Sequence, residues 1–177
     1  MYTKPKIIAI AAVSGGGKTT ITSRLNQELN NSRAIYFDDY DVEGPEDIID
    51  WVDRGADCNE WSLKPIITDV NNLINSTDVR YILLDYPFSR LHRNLKTIDL
   101  TVFIDTPLDI AMARRLLRDF RNTNTEVLMD ELSNYLSRGR IGYESMLKTT
   151  KPNSDLVVDG SLHIDKIIKI IIDAVNN

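Results

Sequence analysis

The chain has 177 residues, of which 42% are hydrophobic and 27% are charged, which suits one compact domain with a core of its own. The formal net charge is -5 and no long basic run occurs, so a nucleic-acid-binding surface is disfavoured. Cys58 is the only cysteine, which excludes an intrachain disulfide and favours a reducing compartment. The first apolar run, residues 7–13, is too short for a signal peptide core or a membrane span. We therefore expect a cytoplasmic protein that binds neither nucleic acid nor membrane, while its oligomeric state stays open.

Apolar runs typical of buried strands alternate with segments of helical periodicity. We predict strands at 7–13, 33–37, 81–85, 100–105 and 155–159. Helices are predicted at 18–30, 44–55, 62–74, 107–120, 126–147 (with a break near Gly139 or Gly142) and 162–175. The alternation favours an α/β fold in one domain, residues 1–177, with a five-stranded parallel sheet and helices on both faces. Ligands of such sheets bind beyond the carboxyl ends of the strands, so the loops there should carry the chemistry.

The first of these loops has the composition of a phosphate cradle. Glycines let successive backbone N–H groups point at an anion, and the following helix adds the positive end of its dipole. Lys18 can reach the β- and γ-phosphates of a nucleotide, and the Thr19 hydroxyl can bind Mg²⁺. The first position of the usual G-x-x-x-x-G-K-[ST] pattern holds Ala12, which requires an ordinary φ at that point of the turn. The predicted nucleotide-binding residues of the loop are Ser14, Gly15, Gly16, Gly17, Lys18, Thr19 and Thr20.

Acidic residues follow the next two strands. Asp85 comes directly after an apolar run, where a carboxylate can hold Mg²⁺ through water. Asp38 and Asp39 follow the second strand, and phosphoryl transfer to a hydroxyl needs a carboxylate that orients the acceptor and takes its proton. Asp38 suits that role, but the residues alone do not decide between it and Asp39.

Four segments in order resemble the uridine kinase and nicotinamide riboside kinase group of P-loop kinases. They are the phosphate loop, Tyr-Phe-Asp-Asp-Tyr at 36–40, Phe-Ile-Asp-Thr at 103–106 and Arg-Arg-Leu-Leu-Arg-Asp at 114–119. The resemblance implies a three-layer P-loop NTPase fold, with Asp38 as the acceptor base. It also implies a helical lid, near 114–142, whose arginines close over the phosphates of ATP, which points to Arg114, Arg115 and Arg118. Guanidinium groups stabilise the charge of a transferring phosphoryl group, which supports the lid role independently. Arg114 and Arg115 point in different directions on a helix, so we expect one of them to reach the site.

The region between the second and third strands departs from the resemblance. It is shorter than in uridine kinases and looks helical, and Asp85-Tyr86 replaces the usual Glu-Gly. The acceptor pocket is therefore expected to differ, with Tyr40, Asn59, Trp61 and Arg90 as candidate lining residues. Packing in the core or on the surface is the competing interpretation of Trp61. His92 is interpreted as a surface residue.

The sequence thus predicts an ATP- and Mg²⁺-dependent kinase of a small molecule. A nucleoside is the leading acceptor, and a vitamin precursor or a sugar is the alternative. A nucleotide-binding regulator, or an NTPase that acts on a partner protein, is a further alternative, although such a switch has no need of a base at Asp38.

Overall fold

The computed structural model describes residues 4–176; the outermost residues of the predicted domain, 1–3 and 177, lie outside them. Its strands are β1 (Lys6–Ala11), β2 (Ser32–Tyr36), β3 (Tyr81–Asp85), β4 (Leu100–Asp105) and β5 (Leu156–Asp159). Its helices are α1 (Lys18–Glu28), α2 (Ile48–Asp53), α3 (Lys64–Ile74), α4 (Leu108–Asp119), α5 (Thr125–Asn134), α6 (Arg140–Lys148) and α7 (Ile164–Asn176). A π-helical segment, Tyr135–Gly139, connects α5 to α6. The predicted alternation and the three-layer fold class are confirmed.

The strands form one parallel sheet in the order β2-β3-β1-β4-β5. Strand β1 is central, and the apolar residues of β1 are buried on both sides, which is why its run is continuous rather than alternating. Ile7 and Ala9 pack into the core that includes Ile66 and Val70 of α3. A second core lies on the opposite face of the sheet, between the strands and the helices α1 and α7. The buried residues that these two helices contribute are Ile21, Leu25, Ile167, Ile168, Ile171 and Val175.

The register brings the functional ends of three strands to one edge. Ile10 near the end of β1 is aligned with Asp85, and Asp85 is also aligned with Tyr36 at the end of β2. The loops after β1, β2 and β3 are therefore neighbours. Within residues 4–176, no helix combines the length and the apolar character that crossing a bilayer requires.

Candidate active site

The glycine-rich loop turns tightly between β1 and α1. Gly15 and Gly17 have φ values of +76° and +98°, which residues with a side chain rarely adopt. A Cβ on Gly15 would also lie 2.0 Å from the carbonyl oxygen of Ala111 in α4. Ala12 is not among the residues with positive φ, as the sequence required. The loop is thus fixed both by its own conformation and by contact with α4.

Thr106 supports the loop from behind. Its Oγ1 donates a hydrogen bond of 2.8 Å to the carbonyl oxygen of Gly16, and both residues are buried. Gly160 leaves the room that this contact needs, because a Cβ there would lie 1.9 Å from Thr106 Oγ1. Sequence reasoning quoted Thr106 as part of a motif but missed this role, since the partner lies 90 residues away.

Lys18 begins α1 and forms an ion pair with Asp85 at the end of β3. The Asp85 side chain is only 2% exposed, and the ion pair with Lys18 holds its carboxylate in place. Burial lowers the pKa of Lys18, the nearby Asp38 carboxylate raises it, and Arg118 lowers it further. Asp38 and Arg118 therefore lie close enough to Lys18 to act on its charge.

A cleft of about 530 Å³ opens above the loop. It brings together the loop, Asp38 and two arginines of α4, Arg114 and Arg118; its lining residues are Ala12, Val13, Ser14, Gly15, Gly17, Lys18, Thr19, Thr20, Phe37, Asp38, Pro87, Arg114, Arg118 and Met146. Asp38 lies in a single 3₁₀ turn, Phe37–Asp39, directly after β2. Asp39 does not line the cleft, and its charge acts instead on Tyr40. The geometry thus separates two aspartates that the sequence could not.

Of the three arginines predicted to hold the nucleotide, the structure does not bring Arg115 to the cleft. Arg115 Nη1 lies 2.7 Å from Glu131 in α5 and 3.4 Å from the Tyr143 hydroxyl in α6. This arginine ties α4 to α5 and α6. Arg118 pairs with its neighbour Asp119, at 2.6 Å and 2.9 Å, but its side chain is 61% exposed and lines the cleft.

An apolar pocket of about 270 Å³ adjoins the cleft and shares Val13, Ser14, Phe37, Pro87 and Met146 with it. Its walls come from α2, from α6 and from an aromatic cluster; the remaining lining residues are Ile48, Ile49, Trp51, Val52, Ala56, Cys58, Trp61, Phe88, Leu91, Gly139, Gly142, Tyr143, Ser145, Thr149 and Thr150. Trp61 packs on Trp51 and Phe88, with ring centroids 6.1 Å and 5.7 Å apart. Of the four predicted acceptor residues, only Trp61 lines this pocket.

The other three predicted acceptor residues have partners elsewhere. Arg90 was predicted to line the acceptor pocket, but its side chain binds Asp155 at 2.6 Å and the carbonyl oxygens of Ile98 and Asp99. These contacts fasten the loop after β3 to the loop before β5. Tyr40 donates a 2.6 Å hydrogen bond to Asp69 in α3, and burial together with that bond raises its pKa to about 12.

Asn59 is likewise engaged away from the apolar pocket. Its side-chain amide donates to Asp57, and its side-chain oxygen accepts from the backbone N–H of Arg93.

His92, predicted to lie at the surface, is 1% exposed. Its Nδ1 accepts a hydrogen bond from the backbone N–H of Asn94, so Nε2 carries the proton and donates to the carbonyl oxygen of Trp61 at 3.1 Å. Burial lowers the pKa of His92. The histidine fixes the backbone of the tryptophan that lines the apolar pocket.

A third pocket of about 220 Å³, which we call the α7 pocket, lies on the other side of the phosphate loop. It shares Gly17, Thr20 and Arg114 with the cleft, and its apolar wall is formed by Ile21, Ile104, Leu162, Ile164 and Ile167. The cleft is therefore flanked by two separate pockets.

An ion pair ties the π-helical segment to α2, which forms a wall of the apolar pocket. Arg138 in the π-helical segment binds the Asp47 carboxylate at 2.7 Å, and Asp47 caps α2 by accepting from the N–H groups of Ile49 and Asp50. Both side chains of the pair are half exposed, so the contact is open to solvent.

No protein-family model matches the chain. Its sequence is 28% identical over 193 residues to a uridine kinase of Borrelia hermsii, which covers 94% of this chain and 92% of that protein. A uridine kinase of Borreliella burgdorferi is 28% identical over 198 residues, with the same coverage. The fold is similar to that of a possible uridine kinase from Bacillus stearothermophilus, with a TM-score of 0.56 at 16% identity over 90% of this chain and 91% of that one.

The chain is thus similar to uridine kinases over almost its whole length, and it shares the fold of a possible uridine kinase. It acts on a small molecule, and its kinase relatives imply ATP as the phosphoryl donor.

Residues that sequence reasoning did not assign to the site complete it. Phe37, Pro87 and Met146 lie at the junction of the cleft and the apolar pocket, whereas Trp51 lines the apolar pocket but not the cleft. Phe37 directly precedes Asp38, and Pro87 lies two residues after Asp85, which is a signal that could have singled them out. Met146 carries no such signal, because only the position of α6 in the folded chain brings it to the cleft.

Proposed function

We propose that this kinase transfers the γ-phosphoryl group of ATP to a hydroxyl of a nucleoside, with Asp38 as the acceptor base. The observation that carries the proposal is the cleft, in which Asp38 faces the same space as the phosphate loop and Arg118. Because the apolar pocket opens onto the cleft at Phe37, next to Asp38, an acceptor in that pocket presents its hydroxyl to this carboxylate.

The step is an in-line displacement. The acceptor oxygen bonds to the γ-phosphorus as the bond from that phosphorus to the β–γ bridging oxygen breaks, and Asp38 takes the hydroxyl proton. ADP and a phosphomonoester leave. Lys18, Arg114 and Arg118 hold the phosphates and offset the charge that builds on the transferring group. The base of ATP would lie against the α7 pocket, which has an apolar wall and borders the loop at Gly17 and Thr20.

A magnesium ion is part of the proposal. The described residues contain no group of three or more His, Cys, Asp or Glu side chains that could cage a metal. A site beside the phosphate loop with few protein ligands suits Mg²⁺, because Mg²⁺ is commonly held by one or two protein ligands together with substrate phosphates. Thr19 would bind it through its hydroxyl and Asp85 through water, and the bound ion would neutralise charge on the β- and γ-phosphates. The Lys18–Asp85 pair supports this arrangement, since it keeps the Asp85 carboxylate beside the loop.

We also propose that residues 114–142 act as a lid on one kinase domain. The links of Arg115 to α5 and α6 support the idea that these helices move with α4 as a unit. A cytoplasmic location completes the proposal and is supported by the single, buried Cys58 thiol.

The decisive experiment is ATP consumption by the purified protein with Mg²⁺, against nucleosides, vitamin precursors and sugars. A nucleoside that raises turnover far above the rate without acceptor supports the proposal. Stimulation by a sugar or a vitamin precursor alone would replace the acceptor class. Tight ATP binding with no stimulation by any acceptor would favour a nucleotide-binding regulator.

A further inference from the structure

The apolar pocket differs from the cleft in its chemistry. None of the described residues that line it carries a charge, and none is Asn or Gln. Its walls are formed by Trp51 and other residues of α2, by Trp61 and Phe88, and by α6. An acceptor ring that enters it is therefore surrounded mainly by aromatic and aliphatic carbon.

Two of the hydroxyl groups in this lining are already engaged. The Tyr143 hydroxyl accepts from Arg115 at 3.4 Å, and Thr149 Oγ1 donates to the carbonyl oxygen of Ser145 at 2.7 Å. A buried polar group without a partner lowers affinity by about 5- to 150-fold. Charged or heavily hydroxylated ligands would lose their bonds to water here and gain few in return.

The size of the pocket limits what fits. Its volume of about 270 Å³ lies just below the ~300–1,000 Å³ typical of small-molecule sites. A single ring fits such a space, and the hydroxyl-bearing part of the acceptor then remains in the polar cleft beside Asp38.

We infer that the acceptor ring is recognised by apolar contact in this pocket. The kinase therefore takes acceptors whose ring is neutral, including rings with an added methyl group. It rejects acceptors with a charged ring and free sugars that carry no base. The inference rests on the proposed function for the place of the acceptor hydroxyl. It goes further in naming what selects the acceptor, namely burial of apolar surface rather than hydrogen bonds to the ring.

The test compares kcat/KM at saturating ATP for uridine, 5-methyluridine, 5-carboxyuridine and ribose. Burying one added methyl group is worth ~0.8 kcal/mol, or about a fourfold gain for 5-methyluridine over uridine. 5-Carboxyuridine should lose more than about a hundredfold, because its charge cannot be paired, and ribose should give no turnover. If uridine is phosphorylated but the carboxylate is tolerated or the methyl group lowers kcat/KM, the inference fails while the proposed function stands.

A binding measurement keeps the inference testable if no nucleoside is phosphorylated. The only two tryptophans of the chain, Trp51 and Trp61, both line the pocket, so a ring that enters it changes the intrinsic fluorescence. Titration with benzyl alcohol should give a saturable change that 4-carboxybenzyl alcohol does not give. Equal responses to the two alcohols, or none to either, would overturn the inference whatever the acceptor of the kinase.

A variant locates the effect. Val52→Thr keeps the shape of a half-buried α2 side chain in the wall but adds a hydroxyl, and should reduce the fourfold methyl preference to about one. Val157→Thr is the matched control, since Val157 in β5 is 44% exposed and lies outside the pocket lining. A Val52→Thr protein that folds and keeps the full methyl preference would contradict the placement of the ring.

Discussion

The hydrogen bond from Thr106 to the phosphate loop allows a quantitative prediction. Thr106→Val replaces the hydroxyl by a methyl group of similar size, so it creates no cavity. It leaves the buried Gly16 carbonyl oxygen without the 2.8 Å bond that it accepts in the structure. An unsatisfied buried acceptor costs ~1–3 kcal/mol.

For a chain of this length, each kcal/mol lowers Tm by roughly 2–4 °C, so we expect a loss of roughly 2–12 °C. The loop would also be less well fixed where it meets the nucleotide. KM for ATP should therefore rise severalfold, with a smaller change in kcat. Differential scanning calorimetry and steady-state kinetics with varied ATP measure the two effects on the same preparation.

Thr22→Val is the matched control. Thr22 is fully buried and donates to the carbonyl oxygen of Lys18 at 3.0 Å, but that carbonyl keeps its partner in the backbone ladder of α1. This variant should lose less stability than Thr106→Val and should leave KM for ATP less affected. Equal losses in the two variants, or an unchanged Thr106→Val protein, would refute the assigned role of Thr106.

Three further predictions rest on charges and pKa shifts. Because burial lowers the pKa of His92, the unfolded chain takes up a proton below pH ~6.5 before the folded chain does; urea denaturation should show the free energy of unfolding falling from pH 7 to pH 5.5, and less so in His92→Gln. Burial raises the pKa of Cys58 to about 11, so at pH 8 iodoacetamide should alkylate the folded protein at least about a hundredfold more slowly than the urea-unfolded chain; similar rates would contradict the buried thiol. Arg118→Ala should lower kcat by about a hundredfold with little loss of Tm, whereas Arg115→Ala should chiefly lower Tm by breaking the bond to Glu131; the reverse pattern in kinetics and calorimetry would exchange the two roles.

Local patterns were enough to predict most of the fold. The apolar runs predict the strands, and the glycines after the first run predict the phosphate loop. The helix break predicted near Gly139 or Gly142 coincides with the end of the π-helical segment at Gly139. The second helix was predicted to open at Gly44 but begins at Ile48, because the Asp47 side chain accepts from Ile49 and Asp50 and caps it there.

The parts that failed depend on partners distant in the chain. His92 is buried because it meets Trp61, 31 residues away, and Arg90 leaves the acceptor side because Asp155 binds it from 65 residues away. No local sequence pattern indicates which residues distant in the chain will contact each other. Of the residues that line the apolar pocket only Trp61 was predicted as an acceptor residue, since α2, the aromatic cluster and α6 meet only in the folded chain.

The most direct test of the account is phosphoryl transfer from γ-labelled ATP to the acceptor by Asp38→Asn, beside Asp39→Asn. Both changes remove one carboxylate from adjacent positions, but only Asp38 lines the cleft. We predict that Asp38→Asn loses ~10²–10⁴-fold in transfer while its affinity for ATP is nearly unchanged, and that Asp39→Asn stays close to the parent protein. Lys18→Ala, which should weaken both transfer and ATP binding, calibrates the two assays. Full activity in Asp38→Asn, or an equal loss in Asp39→Asn, would contradict the assignment of Asp38 as the acceptor base.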